Sequence, residues 1–277
     1  SSVNNVVLSG TGGTITNAVT FSNAGTLALG QSGGTQTYTG GVTAVAPSTI
    51  TLNGTIQTTN TALTLNAFTL GSDVTLSTNA TTSDGLIKIG TITGGNNNLT
   101  FASGYISPYT SGAGLAIGSS VNNVSMTAAT GTVSEAFTFT NAGNLVLGTS
   151  GGTQTYTAGL TTTGVTGVVT LKGTLNTTNT AMVFGAISLG ADTALRTNAT
   201  TTAGDITLGA VTLAGYGLTA STGASVAAAD LSGTAVSGLG AITLQNIGGT
   251  ASFTGAVSAT SLTVASSVNN VVLSGTG

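Results

Sequence analysis

The six acidic residues are the first candidates for catalytic chemistry in this sequence. The chain has six acidic residues, three basic residues, no His and no Cys, which excludes Ser-His and Cys-His catalytic sites and the usual zinc sites. A glycosidase needs two carboxyl groups held about 5–10 Å apart. Only Asp73 (in LGSDVTL) and Asp192 (in LGADTAL) occupy equivalent positions of the internal repeat, and we expect them about six turns apart. We therefore predict that the chain is not an enzyme and has no catalytic residues.

Metal and cofactor sites are not expected either. Residues 32–40 read SGGTQTYTG, which has the glycines of a calcium-binding β-roll repeat but lacks its Asp. The chain has three basic residues and a pI near 4.2, so a nucleic-acid backbone is not an expected partner. No run of about 20 apolar residues is present, so we expect no membrane insertion of this segment.

Tyr38 and Tyr156 are the candidates for ligand stacking, because both close the motif GGTQTY. A sugar could stack on a Tyr ring repeated along the molecule. The alternative, which we favour, is a partly buried ring beside a glycine corner with only its hydroxyl in water.

Asn79 and Asn198 are candidate glycosylation sites, because each begins an N-x-Thr sequon within the equivalent motif TNAT. Such triplets also arise by chance in a chain rich in Asn and Thr. Thr-x-Thr groups such as 35–39 and 49–51 raise an ice-binding alternative, but they are irregularly spaced along the sequence.

Internal repetition is the strongest signal in the sequence. Residues 23–40 and 141–158 match at fourteen of eighteen positions, and SSVNNVVLSGTG occupies both 1–12 and 266–277. The large repeat is thus 265 residues long. We divide it into sub-repeat 1 (1–118) and sub-repeat 2 (119–265, with about one extra turn), and residues 266–277 begin the next large repeat.

Short alternating runs such as LTLNAFTL (63–70) and ITLGAVTL (206–213), separated by Gly, Asn and Ser, predict strands and turns. Tandem repetition of strands favours an open-ended solenoid over a closed barrel or a sandwich. We predict an all-β, right-handed parallel β-solenoid with about 20 residues per turn, about 13 turns and a length of about 60 Å per large repeat.

The composition fits this fold. Charged residues make up 3% and there are 43 Gly. Like charges stacked about 4.8 Å apart repel, whereas Asn, Thr and Ser can form hydrogen-bonded ladders. We expect left-handed corners at Asn4-Asn5, Asn122-Asn123 and the Thr-Thr-Asn triplets at 58–60 and 177–179.

These Gly/Asn/Thr-rich strand repeats resemble those of filamentous haemagglutinin-type adhesins, autotransporter passengers and giant β-strand-repeat bacterial surface proteins. The resemblance implies a secreted, cell-surface structural protein, extracellular in bacteria, in which this segment is a stiff rod of a fibre or filament. Expected partners are the chain itself, through end-to-end stacking or tandem repeats, and glycans or a host surface. The alternatives are an adhesin shaft that binds host receptors or glycans, an ice-binding solenoid and a polysaccharide-degrading β-helix.

Overall fold

A computed structural model describes residues 4–79, 85–201 and 204–275 of the chain. These residues form 32 short strands. In chain order the first sixteen strands are β1 (Val6–Leu8), β2 (Gly12–Ile15), β3 (Val19–Phe21), β4 (Thr26–Leu29), β5 (Thr35–Tyr38), β6 (Val42–Ala44), β7 (Thr49–Thr58), β8 (Leu63–Leu65), β9 (Phe68–Ser77), β10 (Ile87–Ile89), β11 (Ile92–Thr93), β12 (Leu99–Phe101), β13 (Gly104–Pro108), β14 (Leu115–Ile117), β15 (Val124–Met126) and β16 (Thr130–Val133). The remaining strands are β17 (Phe137–Phe139), β18 (Leu145–Leu147), β19 (Thr153–Tyr156), β20 (Leu160–Thr161), β21 (Val169–Asn176), β22 (Met182–Val183), β23 (Ile187–Arg196), β24 (Ile206–Leu208), β25 (Val211–Thr212), β26 (Leu218–Ser221), β27 (Leu231–Gly233), β28 (Val236–Ser237), β29 (Ala241–Leu244), β30 (Thr250–Phe253), β31 (Ser261–Val264) and β32 (Asn270–Leu273).

The strands stack into a three-sided parallel β-solenoid. Every strand pairing between the described strands is parallel, and most strands pair with a strand of the preceding turn, of the following turn or of both. We name the sides by the strands of the first turn: side I begins with β1, side II with β2 and side III with β3. The predicted all-β parallel solenoid is confirmed.

Side chains that point inward form one continuous core. Most strands read in–out–in, as in β8, where Leu63 and Leu65 are buried and Thr64 lies outside. Because each strand sits in register on the one below, apolar residues stack along the axis, as Leu63 does between Val42 and Ile87. The core is therefore a column of Val, Ile, Leu and Phe on each side.

The turn is longer than the sequence predicted. Following the register along side I leads from Val6 through Leu27, Ile50 and successive partners to Val271 in twelve steps. Eleven of these steps are ladder pairings. The remaining step joins Ile92 to Leu115, where the described strands do not pair. Twelve turns over 265 residues give about 22 residues per turn, not 20, and a length of about 58 Å. Long turns, such as the 27 residues from Ile106 to its partner Val133, account for the difference.

The two sub-repeats are rotated relative to each other by one side. Leu27 lies on side I, whereas its counterpart Leu145 lies on side II, above Val124. Tyr38 lies on side II, and Tyr156 pairs with Val133 on side III. The 118 residues of sub-repeat 1 thus make five and one-third turns. In contrast, Val271 lies on the same side as Val6, so the 265-residue repeat makes a whole number of turns.

Corners are built in two ways. Asn60 and Asn179 have φ of 52° and 57°, so the Asn of each Thr-Thr-Asn triplet provides the predicted left-handed corner. Asn5 and Asn123 do not have positive φ, contrary to our expectation. Their side chains bridge turns instead: Asn5 Oδ1 accepts from the Thr26 N–H at 3.0 Å, and Asn123 Oδ1 accepts from the Asn144 N–H at 2.7 Å.

Gly173 is a corner where both conformation and space require glycine. Its φ is 69°, and a Cβ added there would lie 2.3 Å from the Thr149 carbonyl oxygen. We expect Gly173→Ala to destabilise the fold by about 3 kcal/mol, measured by chemical denaturation. The matched control is Gly151→Ala, because Gly151 has φ of 71° but its Cβ would meet no atom within 4 Å. That control should cost about 1 kcal/mol, and equal losses in the two variants would refute the steric argument.

Thr162 carries a buried hydroxyl without a hydrogen-bond partner. Continuing the register of β17, β20 and β22 places it between Phe139 and Phe184, and its counterpart in sub-repeat 1 is Ala44. We expect Thr162→Val to raise the melting temperature, with a gain of about 1 kcal/mol. Thr197→Val should lower the melting temperature, because the Thr197 hydroxyl donates to the carbonyls of Gly204 and Thr222. A lower melting temperature for Thr162→Val would contradict the prediction.

Candidate functional site

Tyr38 and Tyr156 are both buried, with 1% and 0% of their surface exposed. The hydroxyl of Tyr38 donates to Gln36 Oε1 at 2.8 Å, and that of Tyr156 donates to Gln154 Oε1 at 2.8 Å. Neither ring has an exposed face on which a sugar could stack. The rings are more deeply buried than the alternative we favoured, because even the hydroxyl is turned inward.

Gln36 and Gln154 explain why the hydroxyls can be buried. Both amides point into the core two residues before the Tyr. Gln36 Nε2 donates to the Leu8 carbonyl at 2.5 Å, and Gln154 Nε2 donates to the Met126 carbonyl at 3.1 Å. A buried polar group destabilises the fold unless it is hydrogen-bonded, and here the amide accepts the hydrogen bond that the phenol donates. The GGTQTY motif is thus a structural unit of the core.

Asn79 and Asn198 lie on the surface at the ends of β9 and β23. Both have φ of 47°. Asn79 Oδ1 accepts from the Ser77 hydroxyl at 3.1 Å, and Asn198 Nδ2 donates to the Thr177 carbonyl at 3.2 Å. Their exposure agrees with the requirement of a glycosylation acceptor, and the modification itself stays a prediction.

Asp73 and Asp192 lie at different corners, five and one-third turns apart. Asp73 is at the corner between sides I and II, and Asp192 at the corner between sides II and III. The separation along the axis is about 26 Å, slightly less than the six turns we expected. Such a separation prevents the two carboxylates from acting on one bond.

The Asp73 carboxylate begins a ladder of side chains along this corner. Asn98 donates to it twice, from N to Oδ1 and from Nδ2 to Oδ2, both at 2.9 Å. Asn98 Oδ1 then accepts from the N–H and the Nδ2 of Asn123, and Asn123 and Asn144 repeat the backbone contact with the next turn. The ladder crosses from sub-repeat 1 into sub-repeat 2, and it realises the predicted Asn stacking.

Asp205 and Asp230 form a pair that the sequence analysis missed. They lie in consecutive turns at the corner between sides III and I, each just before a strand. Asp205 Oδ1 accepts from the Asp230 N–H at 2.9 Å, and Asp230 Oδ1 accepts from the Thr250 N–H at 2.7 Å. Asp230 is exposed and Asp205 is partly exposed, so water screens their repulsion. The signal in the sequence is their spacing of 25 residues, about one turn.

Asp205 and Asp230 lie one turn apart, about 4.8 Å along the axis, but both carboxylates are engaged with the backbone. Neither residue lines any of five well-formed cavities in the part of the chain that the structure describes. Each carboxylate already accepts a backbone N–H from the following turn. The arrangement resembles that of Asp192, whose Oδ1 accepts from the Gly217 N–H at 2.8 Å. We therefore assign all three a role in closing corners.

A groove runs along the corner between sides II and III, and a smaller counterpart lies at the corner between sides I and II in sub-repeat 1. The larger groove has a volume of about 840 Å³ and is lined by Thr174, Asp192, Thr219 and Leu239 among others. The smaller groove, about 380 Å³, is lined by the counterparts Thr55, Asp73, Thr100 and by Asn98. Asn98 fills space that Gly217 leaves open in sub-repeat 2. This difference makes the Asp192 groove the larger concave surface.

Each side also carries an outward rank of hydroxyl residues. On side II the rank runs through Thr35, Thr55, Thr75, Thr100 and Ser125 and continues beyond a single Val146 to Ser237. An ice-binding Thr-x-Thr surface needs two parallel rows of Thr. The second row here consists of Thr37, Gln57 and Ser77, so the Thr-x-Thr pair is not repeated from turn to turn. The outward surface is thus hydroxylated and almost free of charge.

Burial of the two tyrosines has a consequence at high pH. Burial raises the pKa of Tyr38 from 10.0 to about 12 and raises the pKa of Tyr156 further. The folded state therefore holds these protons more tightly than the unfolded state does. Their contribution to stability is complete below about pH 10. That of Tyr38 is lost as the pH rises from about 10 to 12, and that of Tyr156 continues to fall above this range.

We expect the unfolding free energy of the parent chain to fall over this pH range. The double variant Tyr38→Phe/Tyr156→Phe should be less stable at neutral pH, because the two Gln acceptors lose their partners, but its stability should fall less between pH 10 and 12. Denaturant titrations at several pH values measure both effects. The same pH slope in the parent and the double variant would contradict the assignment.

Comparisons with known proteins found no matching protein-family model, no matching curated protein and no matching solved structure. No group of three or more His, Cys, Asp or Glu among the described residues could hold a metal ion. Within the same part of the chain, no helix has the length and apolar character needed to cross a membrane.

Proposed function

We propose that this chain is a structural repeat module of a bacterial extracellular fibre or surface filament, in which it acts as a stiff rod. The observation that carries the proposal is the phase of the repeat. Val6 and Val271 occupy equivalent positions in the sequence and lie on the same side after twelve turns. A following repeat can therefore continue the same solenoid without a change of register.

The continuous core supports a mechanical role. Ladders of backbone hydrogen bonds join every turn to the next on two or three sides, and the apolar columns run through the whole described length. In a solenoid each turn contacts only its neighbours, so stiffness grows from local contacts and does not require the chain to close on itself. Such a rod can extend by adding repeats.

The surface supports an exposed, solvated rod. Hydroxyl ranks replace charged residues on the outward faces, so successive turns do not repel one another and the rods carry little net charge. The extracellular location and the bacterial source rest on the resemblance to adhesin-type repeats. The partners we propose are further copies of the same repeat.

An adhesin shaft that binds glycans or host receptors is the second candidate, favoured by the Asp192 groove. Thr174, Asp192 and Thr219 offer hydroxyl and carboxylate groups to a polar ligand, and Leu239, 74% exposed, adds an apolar edge. Saturable glycan binding that is lost in Asp192→Asn and kept in Asp73→Asn would favour this candidate over a purely structural rod.

Electron cryo-microscopy of the native protein on its cells tests the proposal. We expect long rods with axial layers about 4.8 Å apart. The full pattern should repeat after about 58 Å, the length of twelve turns. Compact particles without axial layering would contradict it. Rods that end in a separate globular tip would leave the stalk role in place and move any binding activity to the tip.

A further inference from the structure

The Asp192 groove is long and follows the axis of the solenoid. Its lining residues come from six successive turns, from Ser150 to Thr260. Five steps between these turns, at about 4.8 Å each, give a length of about 24 Å. The middle of the groove, at Asp192 and Gly217, is followed on side III by β29 and β31. Such a shape fits an extended chain better than a compact molecule.

Asp192 presents one carboxylate oxygen to this groove that the protein does not use. Its Oδ1 accepts from the Gly217 N–H at 2.8 Å, and no described residue donates a hydrogen bond to its Oδ2. In sub-repeat 1 the counterpart Asp73 has both oxygens occupied, because Asn98 donates to each of them at 2.9 Å. The same carboxylate is therefore saturated at one corner and half open at the other.

The difference arises from the replacement of three residues. Residues 96–98 read NNN, and the equivalent residues 215–217 read GYG. Gly217 keeps the backbone N–H but removes the second donor and leaves space in front of the carboxylate. Tyr216, 40% exposed, stands between two lining glycines, and Leu239 of the next turn is 74% exposed. The corner of sub-repeat 2 thus combines an open carboxylate with exposed aromatic and aliphatic surface.

The charge of the groove selects among ligands. Asp192 is the only charged residue among the described residues that line it, and the other polar side chains there are hydroxyls, those of Ser150, Thr174, Thr193, Thr219 and Thr260. Lys172, at the same corner one turn earlier, packs over Gly190 and does not line the groove. An unpaired carboxylate binds an ammonium group more strongly than a neutral donor, and it repels sulfate and carboxylate groups.

An extended peptide is a poor occupant, because it has no strand edge to join. Peptides that bind by strand addition need an unpaired edge. The strands beside the groove, β21, β23, β26 and β29, are paired with strands of both neighbouring turns. Hydroxyls, an exposed Tyr and a carboxylate are instead the groups that bind sugar rings and their substituents.

We propose that the Asp192 groove binds a linear polysaccharide that carries free amino groups. The chain lies along the axis, one ammonium group donates to Asp192 Oδ2, and sugar rings contact Tyr216 and Leu239. This inference rests on the adhesin-shaft candidate of the proposed function, because it names the ligand class and the contacts of the same groove. It does not depend on the rod being part of a fibre.

Two hexasaccharides with the same backbone test the ligand class. Isothermal titration calorimetry compares the glucosamine hexamer, whose amines are free, with the N-acetylglucosamine hexamer, whose amines are blocked. We expect the free amine to bind at one site per chain and about 10-fold more tightly than the acetylated form, because only the ammonium makes a charge-assisted hydrogen bond. A sulfated glycan such as heparin should not bind.

Three full-length variants test the site. Asp192→Asn keeps an oxygen for the Gly217 N–H but removes the charge, and should weaken binding of the glucosamine hexamer about 10-fold. Gly217→Asn rebuilds the arrangement of Asn98 and should weaken binding at least as much. The fold accommodates it, because a Cβ at Gly217 would lie 3.5 Å from Asp192 Oδ1 and meets nothing closer. Asp73→Asn is the matched control and should bind as the parent does. Melting temperatures verify that each variant is folded.

Equal affinity for the two hexamers would overturn the inference, and so would a Gly217→Asn variant that binds as the parent does. Equal affinity that is still lost in Gly217→Asn would leave the adhesin-shaft candidate in place with a different ligand class. Absence of binding to any of the glycans tested would refute the inference without touching the rod, which electron cryo-microscopy tests separately.

Discussion

The parallel backbone ladder between successive turns is the interaction on which the rest of the structure depends. It places each residue directly above an equivalent residue of the previous turn, so every side chain meets its counterpart at a distance set by the backbone. Inward positions must then be apolar in every turn, as in the stack of Val42, Leu63 and Ile87. Outward positions place similar side chains of successive turns next to one another, and hydroxyl side chains can be stacked in this way without electrostatic repulsion.

The same constraint governs the few charged residues. A carboxylate at a corner is stable when the next turn offers it an N–H, as Asn98 offers Asp73 and Gly217 offers Asp192. Asp205 and Asp230 show that even consecutive carboxylates are tolerated when each accepts such a bond and water reaches the pair. The corner carboxylates thus take the place of an Asn side chain in the ladder. Their function is to accept a hydrogen bond from a backbone N–H of the following turn.

Much of the fold could be predicted from the sequence because repetition and alternation report directly on stacking. The rotation between sub-repeats could not. A turn of 20 residues in place of 22 gives an error of two residues per turn, about half a turn after five turns, which exceeds the one-third turn to be detected. The Asp205–Asp230 pair was missed for a related reason: sub-repeats were compared with each other, whereas contacts join consecutive turns. Gln154 was overlooked because Gln is seldom buried, although its position two residues before an inward Tyr indicates the same face of the strand.

The rotation by one-third of a turn changes what internal duplication means for this molecule. Features shared by the two sub-repeats, such as the Asp73 and Asp192 grooves, lie at two different corners and face different directions. Features shared by successive large repeats would lie on the same side of the rod. The shift arises because β14 adds one side to the five complete turns that end with β13, so that β15, the counterpart of β1, lies on side II. The side I ladder is interrupted between Ile92 and Leu115, whereas sides II and III stay continuous there through the pairings of β12 with β15 and of β13 with β16. Because the second sub-repeat adds six and two-thirds turns, the sum is a whole number, and only the complete 265-residue unit can be repeated without changing the faces that the rod presents.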